Sequence, residues 1–146
     1  WVSLGLAGNA QMEPEVGELL AELDPECFVI DAVPNMEARL IEERAVPFLE
    51  RLMAARPHAK YVLVEARHYT NSWLRESGRD QDETRQGAWR QACAALDAAG
   101  VTRCEVPGEA LFGTDAEASM DSSHPSDLGF VRMADALEPY LRRYLG

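Results

Sequence analysis

Short apolar runs alternate with helical patterns along this chain. Four of the runs predict β-strands: Val2–Leu4, Cys27–Val33, Tyr61–Ala66 and Val101–Val106. The second and third runs are apolar at every position but one, Asp31 and Glu65, which is typical of parallel strands whose two faces are both covered by helices. The pattern therefore predicts an α/β fold in which crossover helices join the strands of a parallel sheet.

Amphipathic patterns between and after these runs predict four helices. They cover about Pro14–Leu23, Met36–Ala55, Glu83–Ala99 and Ser126–Tyr144. Pro14 suits a first helical turn and Gly100 a helix C-terminus, whereas Pro47 is expected to kink or split the second helix. The longest irregular piece is Arg67–Asp82. We expect it to be a loop that follows the third strand.

Composition limits the possible size and partners of the protein. With 146 residues and 47% hydrophobic content, residues 1–146 are expected to form a single domain. The net charge of −11 argues against nucleic acid or an anionic membrane surface as a partner, since both require basic patches. No apolar run approaches the roughly 18 residues of a membrane span. The cellular location is left open.

The three cysteines, Cys27, Cys93 and Cys104, include no CxxC pair and are expected to be buried core thiols. Asp121, His124 and Asp127 have a spacing that could hold a metal ion. A zinc site would require further His or Cys ligands, so we expect no metal.

The chemically most informative stretch is Asp121-Ser122-Ser123-His124-Pro125. A histidine that acts as a general base needs a carboxylate to fix its tautomer, and an Asp-x-x-His turn supplies both groups from one loop. Gly5–Asn9 and Val33–Met36 contain a glycine N–H and an asparagine amide of the kind that stabilises an oxyanion.

These segments follow predicted strands, so they should meet at the carboxyl edge of the sheet, where open α/β folds bind ligands. The loop after the third strand should join them there. Its mixed polar and aromatic side chains are candidates for contacts with substrate: Arg67, His68, Tyr69, Asn71 and Trp73. His58, in a polar loop, is expected to be solvated.

The motifs resemble those of the SGNH hydrolases, or GDSL esterases, and are most similar to the bacterial esterase-like branch. The resemblance rests on three segments. In Val2–Val16, an apolar run is followed by Gly-x-x-Gly-Asn and then by Glu-Pro-Glu-Val. The other two segments are Ile30–Asn35 and Asp121–Phe130. It implies a three-layer α/β/α, flavodoxin-like parallel sheet. It also implies that Gly8 and Asn35 form the oxyanion hole, and that Asp121 and His124 are the catalytic acid and base.

One block of the family pattern has no counterpart in these residues. The nucleophilic serine of the family lies in a Gly-x-Ser turn after the first strand, upstream of the Gly-x-x-Gly-Asn block, and none of the seven serines here has that setting. We expect an N-terminal segment carrying this serine, and the first strand of the fold, to precede Trp1. Without that strand the sheet should have an open edge, covered by this segment or by a second copy of the chain.

The mechanism implied by the resemblance is ester hydrolysis through an acyl-serine intermediate, with no cofactor. Family members cleave sugar acetyl groups, lipid esters and thioesters, and a small acyl ester, such as a carbohydrate acetyl ester, is the substrate we expect. Two alternatives stay open. One is a non-catalytic relative that binds an ester or carbohydrate, and the other is a flavodoxin-like regulatory domain.

Overall fold

The computed structural model describes residues 1–146 and contains one parallel sheet of three strands in the order β1-β2-β3. The strands are β1 (Cys27–Ile30), β2 (Lys60–Val64) and β3 (Cys104–Val106), and the helices are α1 (Pro14–Ala21), α2 (Ala38–Ala55), α3 (Glu76–Ala98), α4 (Glu109–Phe112) and α5 (Asp127–Leu145), with a 3-10 helix at Val33–Asn35. The predicted α/β fold with parallel strands is confirmed.

Alternate residues of the central strand β2 lie in two separate cores, because successive side chains of a strand point to opposite faces. Tyr61 and Leu63 pack with α2 and α3 on one face. Val62 and Val64 pack with α4 and α5 on the other. The sheet therefore lies between two helical layers, which is the three-layer α/β/α arrangement.

The predicted strand at Val2–Leu4 was wrong. Residues 1–6 have no regular secondary structure, and Trp1, Val2 and Leu4 are exposed. A strand is stable only when its backbone groups pair with a neighbour, and the sheet consists of β1, β2 and β3 alone. An apolar run does not supply that neighbour.

The other elements occur where they were predicted, with shifted ends. Helix α3 begins at Glu76, seven residues before the predicted Glu83, so the irregular loop ends at Arg75. Helix α2 runs through Pro47 without a break. The short helix α4 was missed, since four residues are too few for a helical period to show.

Strand β1 pairs with β2 along one edge only, and its other edge is unpaired. Val29, in the middle of β1, is 44% exposed although it belongs to a strand. β3 is the other edge strand of the sheet, so the edge that a preceding strand would join stays a prediction. None of the helices combines the length and the apolarity that a bilayer crossing requires.

Candidate active site

The Asp121–His124 loop is a closed turn between α4 and α5. Its ends are held together by a β-bridge between Ser119 and Pro125. Asp121 Oδ1 accepts hydrogen bonds from the backbone N–H groups of Ser123 at 3.0 Å and His124 at 2.7 Å. An aspartate that binds the backbone ahead of it in this way stabilises a tight turn. The turn therefore holds the carboxylate against the imidazole.

The side chains of this pair are also bonded, with His124 Nδ1 2.6 Å from Asp121 Oδ2. An ionised carboxylate only accepts hydrogen bonds, so Nδ1 carries the proton and Nε2 of the neutral ring is the free basic nitrogen. Nε2 makes no hydrogen bond within the protein, and the side chain is 81% exposed. The predicted acid–base pair has the geometry of a general base.

The same contacts determine the charge state of Asp121. The hydrogen bond from the His124 ring, followed by the N–H groups of His124 and Ser123, holds the pKa of Asp121 well below its usual range. Ser119 Oγ donates a further hydrogen bond to Oδ1 at 3.1 Å. The carboxylate therefore stays ionised at neutral pH, where its hydrogen bond fixes the orientation of the imidazole.

Asn35 ends the 3-10 helix that follows β1. Its backbone is fixed, because its N–H donates to Ala32 O at 3.0 Å and its carbonyl accepts from Gln11 Nε2 at 3.1 Å. Its side-chain amide makes no hydrogen bond within the protein and so keeps its donors available. Gly8 lies in an exposed turn with φ +83°, where a side chain would be strained. No hydrogen bond links Gly8 to Asn35 or to His124.

The loop after β2 contacts the acid–base loop directly. Arg67 Nε donates to Ser123 O at 2.8 Å, and the Thr70 N–H donates to Ser122 O at 2.9 Å. Burial lowers the pKa of Arg67, although nearby carboxylates, among them Asp121, oppose the shift. The convergence of these two loops was predicted from their positions after strands.

The remaining candidates for substrate contacts divide between two depressions. Tyr69 and Asn71 line an open groove of about 820 Å³, and His68 lines a small adjoining pocket together with Arg67 and Tyr69. Trp73 is 75% exposed and lines neither of them. The structure thus brings four of the five to the depressions beside the acid–base loop.

Sequence reasoning missed three buried polar residues on one face of α3, namely Asp82, Arg85 and Gln86. Asp82 Oδ2 accepts from Ser72 Oγ at 2.7 Å and from the Tyr69 N–H at 3.0 Å.

Arg85 and Gln86, the next two residues on this face, contact other loops at the carboxyl edge of the sheet. Arg85 Nε donates to Met36 O at 3.0 Å, one residue after Asn35. Gln86 Nε2 donates to Ala66 O at 3.1 Å and lies 3.2 Å from His68 Nε2. The face therefore anchors both the Asn35 segment and the loop after β2. An i, i+3, i+4 spacing of polar residues was the available signal, but that spacing is usually a solvated helix face.

The three cysteines were predicted to be buried, and His58 was predicted to be solvated. Cys93 and Cys104 are buried as predicted, Cys27 is half-buried, and His58 is exposed. Burial raises the pKa of Cys93 to about 12. No three His, Cys, Asp or Glu side chains converge to hold a metal ion.

Comparison with solved structures finds the same fold in a larger protein. A Bacteroides ovatus ATCC 8483 protein, provisionally classed as a GDSL-like lipase and solved as a crystal structure at 1.40 Å resolution, superposes with a TM-score of 0.93 and 29% sequence identity. The match covers 99% of this chain and 43% of that one, so the chain spans less than half the length of this relative. No curated protein matches.

The sequence profile of the GDSL-like lipase/acylhydrolase family matches residues 1–142. This match confirms the resemblance drawn from the Gly-x-x-Gly-Asn, Asn35 and Asp-x-x-His segments, and it argues against a flavodoxin-like regulatory domain. The chain therefore belongs to the GDSL-like lipase/acylhydrolase family.

Proposed function

We propose that this chain forms the acid–base and oxyanion part of a serine-type ester hydrolase whose nucleophile lies outside these 146 residues, upstream of Trp1. The observation that carries the proposal is the 2.6 Å contact between His124 Nδ1 and Asp121 Oδ2, which leaves Nε2 exposed and unbonded. A base poised in this way has the geometry needed to take the proton of a serine hydroxyl.

In the proposed mechanism, His124 Nε2 accepts the serine proton as the serine oxygen attacks the ester carbonyl. Asp121 stabilises the imidazolium that forms. The Asn35 amide and the Gly8 N–H donate to the oxyanion of the tetrahedral intermediate. His124 then returns the proton to the leaving alcohol, and water, activated by the same base, hydrolyses the acyl-serine.

The substrate we propose is a small acyl ester, with the acetyl ester of a carbohydrate as the leading case. The supporting observation is the polar character of the groove beside the acid–base loop, since only two of its twelve lining residues are hydrophobic.

The test is the intact mass of the protein purified from its native source, before and after reaction with a fluorophosphonate that labels activated serines. A mass above the 16.2 kDa of this chain, with one adduct, supports the proposal, and the labelled peptide identifies the nucleophile. The absence of an adduct on any polypeptide that contains these residues would contradict it and favour the non-catalytic binder.

Two variants sharpen this test. His124→Ala should lower labelling and hydrolysis of p-nitrophenyl acetate by at least about 10²-fold, because a general base contributes that much or more. His58→Ala removes an exposed histidine outside the site and is the matched control, with unchanged rates expected. Equal activity in the two variants would refute the role of His124.

A further inference from the structure

The backbone at Asn35 is held by side chains from two distant parts of the chain. Gln11 Nε2 donates to Asn35 O at 3.1 Å, and Arg85 Nε donates to Met36 O at 3.0 Å. The N–H groups of Asn35 and Met36 donate in turn to carbonyls one turn earlier, at 3.0 and 3.1 Å. Two successive peptide groups are therefore fixed at the residue that carries the predicted oxyanion-hole amide.

Gln11 is itself attached to a fixed backbone. Its N–H donates to Glu13 Oε2 at 3.1 Å, and its carbonyl accepts from Arg44 Nη1 at 3.2 Å. The next residue, Met12, is buried in the core that α2 and α3 form with the sheet, and its φ is +54°. A residue other than glycine keeps that left-handed conformation only where surrounding contacts offset its cost. The Gln11 side chain therefore extends from an anchored position, as a supporting residue requires.

Gln11 also connects the two segments that are predicted to form the oxyanion hole. Residues 1–10 make only local hydrogen bonds, such as the one from the Asn9 N–H to Leu6 O at 2.9 Å. Gln11 is the first residue along the chain that hydrogen-bonds a distant one, and it lies three residues after Gly8. Gly8 and Asn35 share no direct hydrogen bond, so the Gln11 side chain links their two segments.

The need to satisfy a carbonyl does not by itself explain this bond. Asn35 is half-buried, and water could satisfy its carbonyl oxygen as Gln11 does. Water cannot supply a fixed geometry. An oxyanion hole acts through preorganised donors, and a displacement of about 1 Å can cost about 10²-fold in rate. A side chain that fixes the Asn35 backbone therefore has a reason to be there in a catalyst.

We infer that Gln11 is a positioning residue of the oxyanion hole, which holds the Asn35 amide in place and ties it to the Gly8 segment. The inference rests on the proposed function, since it concerns the donors of that reaction. Gln11 acts through Asn35 and not on the reacting atoms. Because the oxyanion exists only after attack, loss of Gln11 should lower kcat and leave KM unchanged.

The experiment is steady-state hydrolysis of p-nitrophenyl acetate by the full-length polypeptide that contains these residues, with Gln11→Met as the main variant. Methionine keeps the size of the side chain and removes its donors. We expect kcat to fall about tenfold, less than the roughly 10²–10³-fold cost of deleting an oxyanion-hole donor. Gln11→Glu, which has the same shape but no donor when ionised, should show the same loss.

Gln91→Met is the matched control, with unchanged rates expected. Gln91 is an exposed glutamine on α3 whose side chain makes no hydrogen bond within the protein. Circular dichroism at the assay temperature gives the folded fraction, so that kcat can be expressed per folded molecule. If kcat per folded molecule is the same in the Gln11 variants and in Gln91→Met, Gln11 has only a structural role and the inference is overturned.

A double-mutant cycle tests whether Gln11 acts through Asn35. Asn35→Ala removes the amide that Gln11 positions, so adding Gln11→Met to it should cause no further fall in kcat. A tenfold fall that persists beside Asn35→Ala would overturn the inference.

The outcomes separate this inference from the proposed function. Normal turnover by Gln11→Met, together with lost turnover by His124→Ala, would refute the positioning role and leave the hydrolase in place. Absence of a fluorophosphonate adduct on any polypeptide that contains these residues would refute the hydrolase, and the role of Gln11 in it would be refuted as well.

Discussion

Replacing Asp82 with alanine tests whether the buried polar face of α3 holds the loop after β2 in place beside the site. Asp82 is 1% exposed, and its carboxylate accepts from Ser72 Oγ and the Tyr69 N–H. The substitution would leave a backbone donor without a partner and remove the carboxylate beside Arg85.

The expected cost follows from these contacts. Hydrogen bonds to a charged group contribute about 1.5–3 kcal/mol each, and removing one member of a buried charged pair costs about 3–5 kcal/mol. These costs overlap because they involve the same carboxylate. We therefore expect Asp82→Ala to lower the free energy of unfolding by about 3 kcal/mol, a large part of the roughly 5–15 kcal/mol of a typical domain.

Urea unfolding followed by circular dichroism measures this change, with Glu83→Ala as the control. Glu83 is the next residue of α3, carries the same charge, is exposed and forms no ion pair or hydrogen bond. It should change the free energy of unfolding by no more than about 0.5 kcal/mol. If the two variants have the same stability, the α3 contacts are not what holds the loop after β2, and the reasoning fails.

Three further predictions concern stability and reactivity. The lowered pKa of Asp121 means that its contribution to stability is present above the unfolded-state value of about 4 and is lost as pH falls through the lower folded-state value. Asp121→Asn should therefore weaken the fall of Tm at acid pH, and an unchanged acid limb would contradict this. Gly108→Ala should destabilise the fold by about 1–3 kcal/mol in the same urea assay, because the new Cβ would overlap the backbone oxygen of Ala66. Gly87→Ala, with open space around it, should instead stabilise α3 by about 0.5–1 kcal/mol, and the opposite order would refute the packing argument. Cys93, whose thiol pKa burial raises to about 12, should resist iodoacetamide at pH 8 until the protein unfolds, as mass spectrometry can follow.

The sequence alone predicted the α/β fold, because strands covered on both faces are continuously apolar and the crossover helices carry their own period. It also predicted the Asp121–His124 pair, since both groups belong to one tight turn whose hydrogen bonds are local. Local interactions of this kind depend on spacing along the chain. They can therefore be predicted from the sequence without knowing the rest of the fold.

The tertiary structure decided the features that depend on distant partners. Val2–Leu4 has the composition of a strand but no neighbour to pair with. Asp82 and Arg85 read as polar positions on a helix, and only the approach of the loop after β2 and of Met36 O makes them buried anchors. The groove likewise exists only where α3, the start of α2 and the Ser122 loop meet. Strand pairing and side-chain burial depend on two segments that folding brings together, whereas hydrophobic periodicity is a property of a single segment.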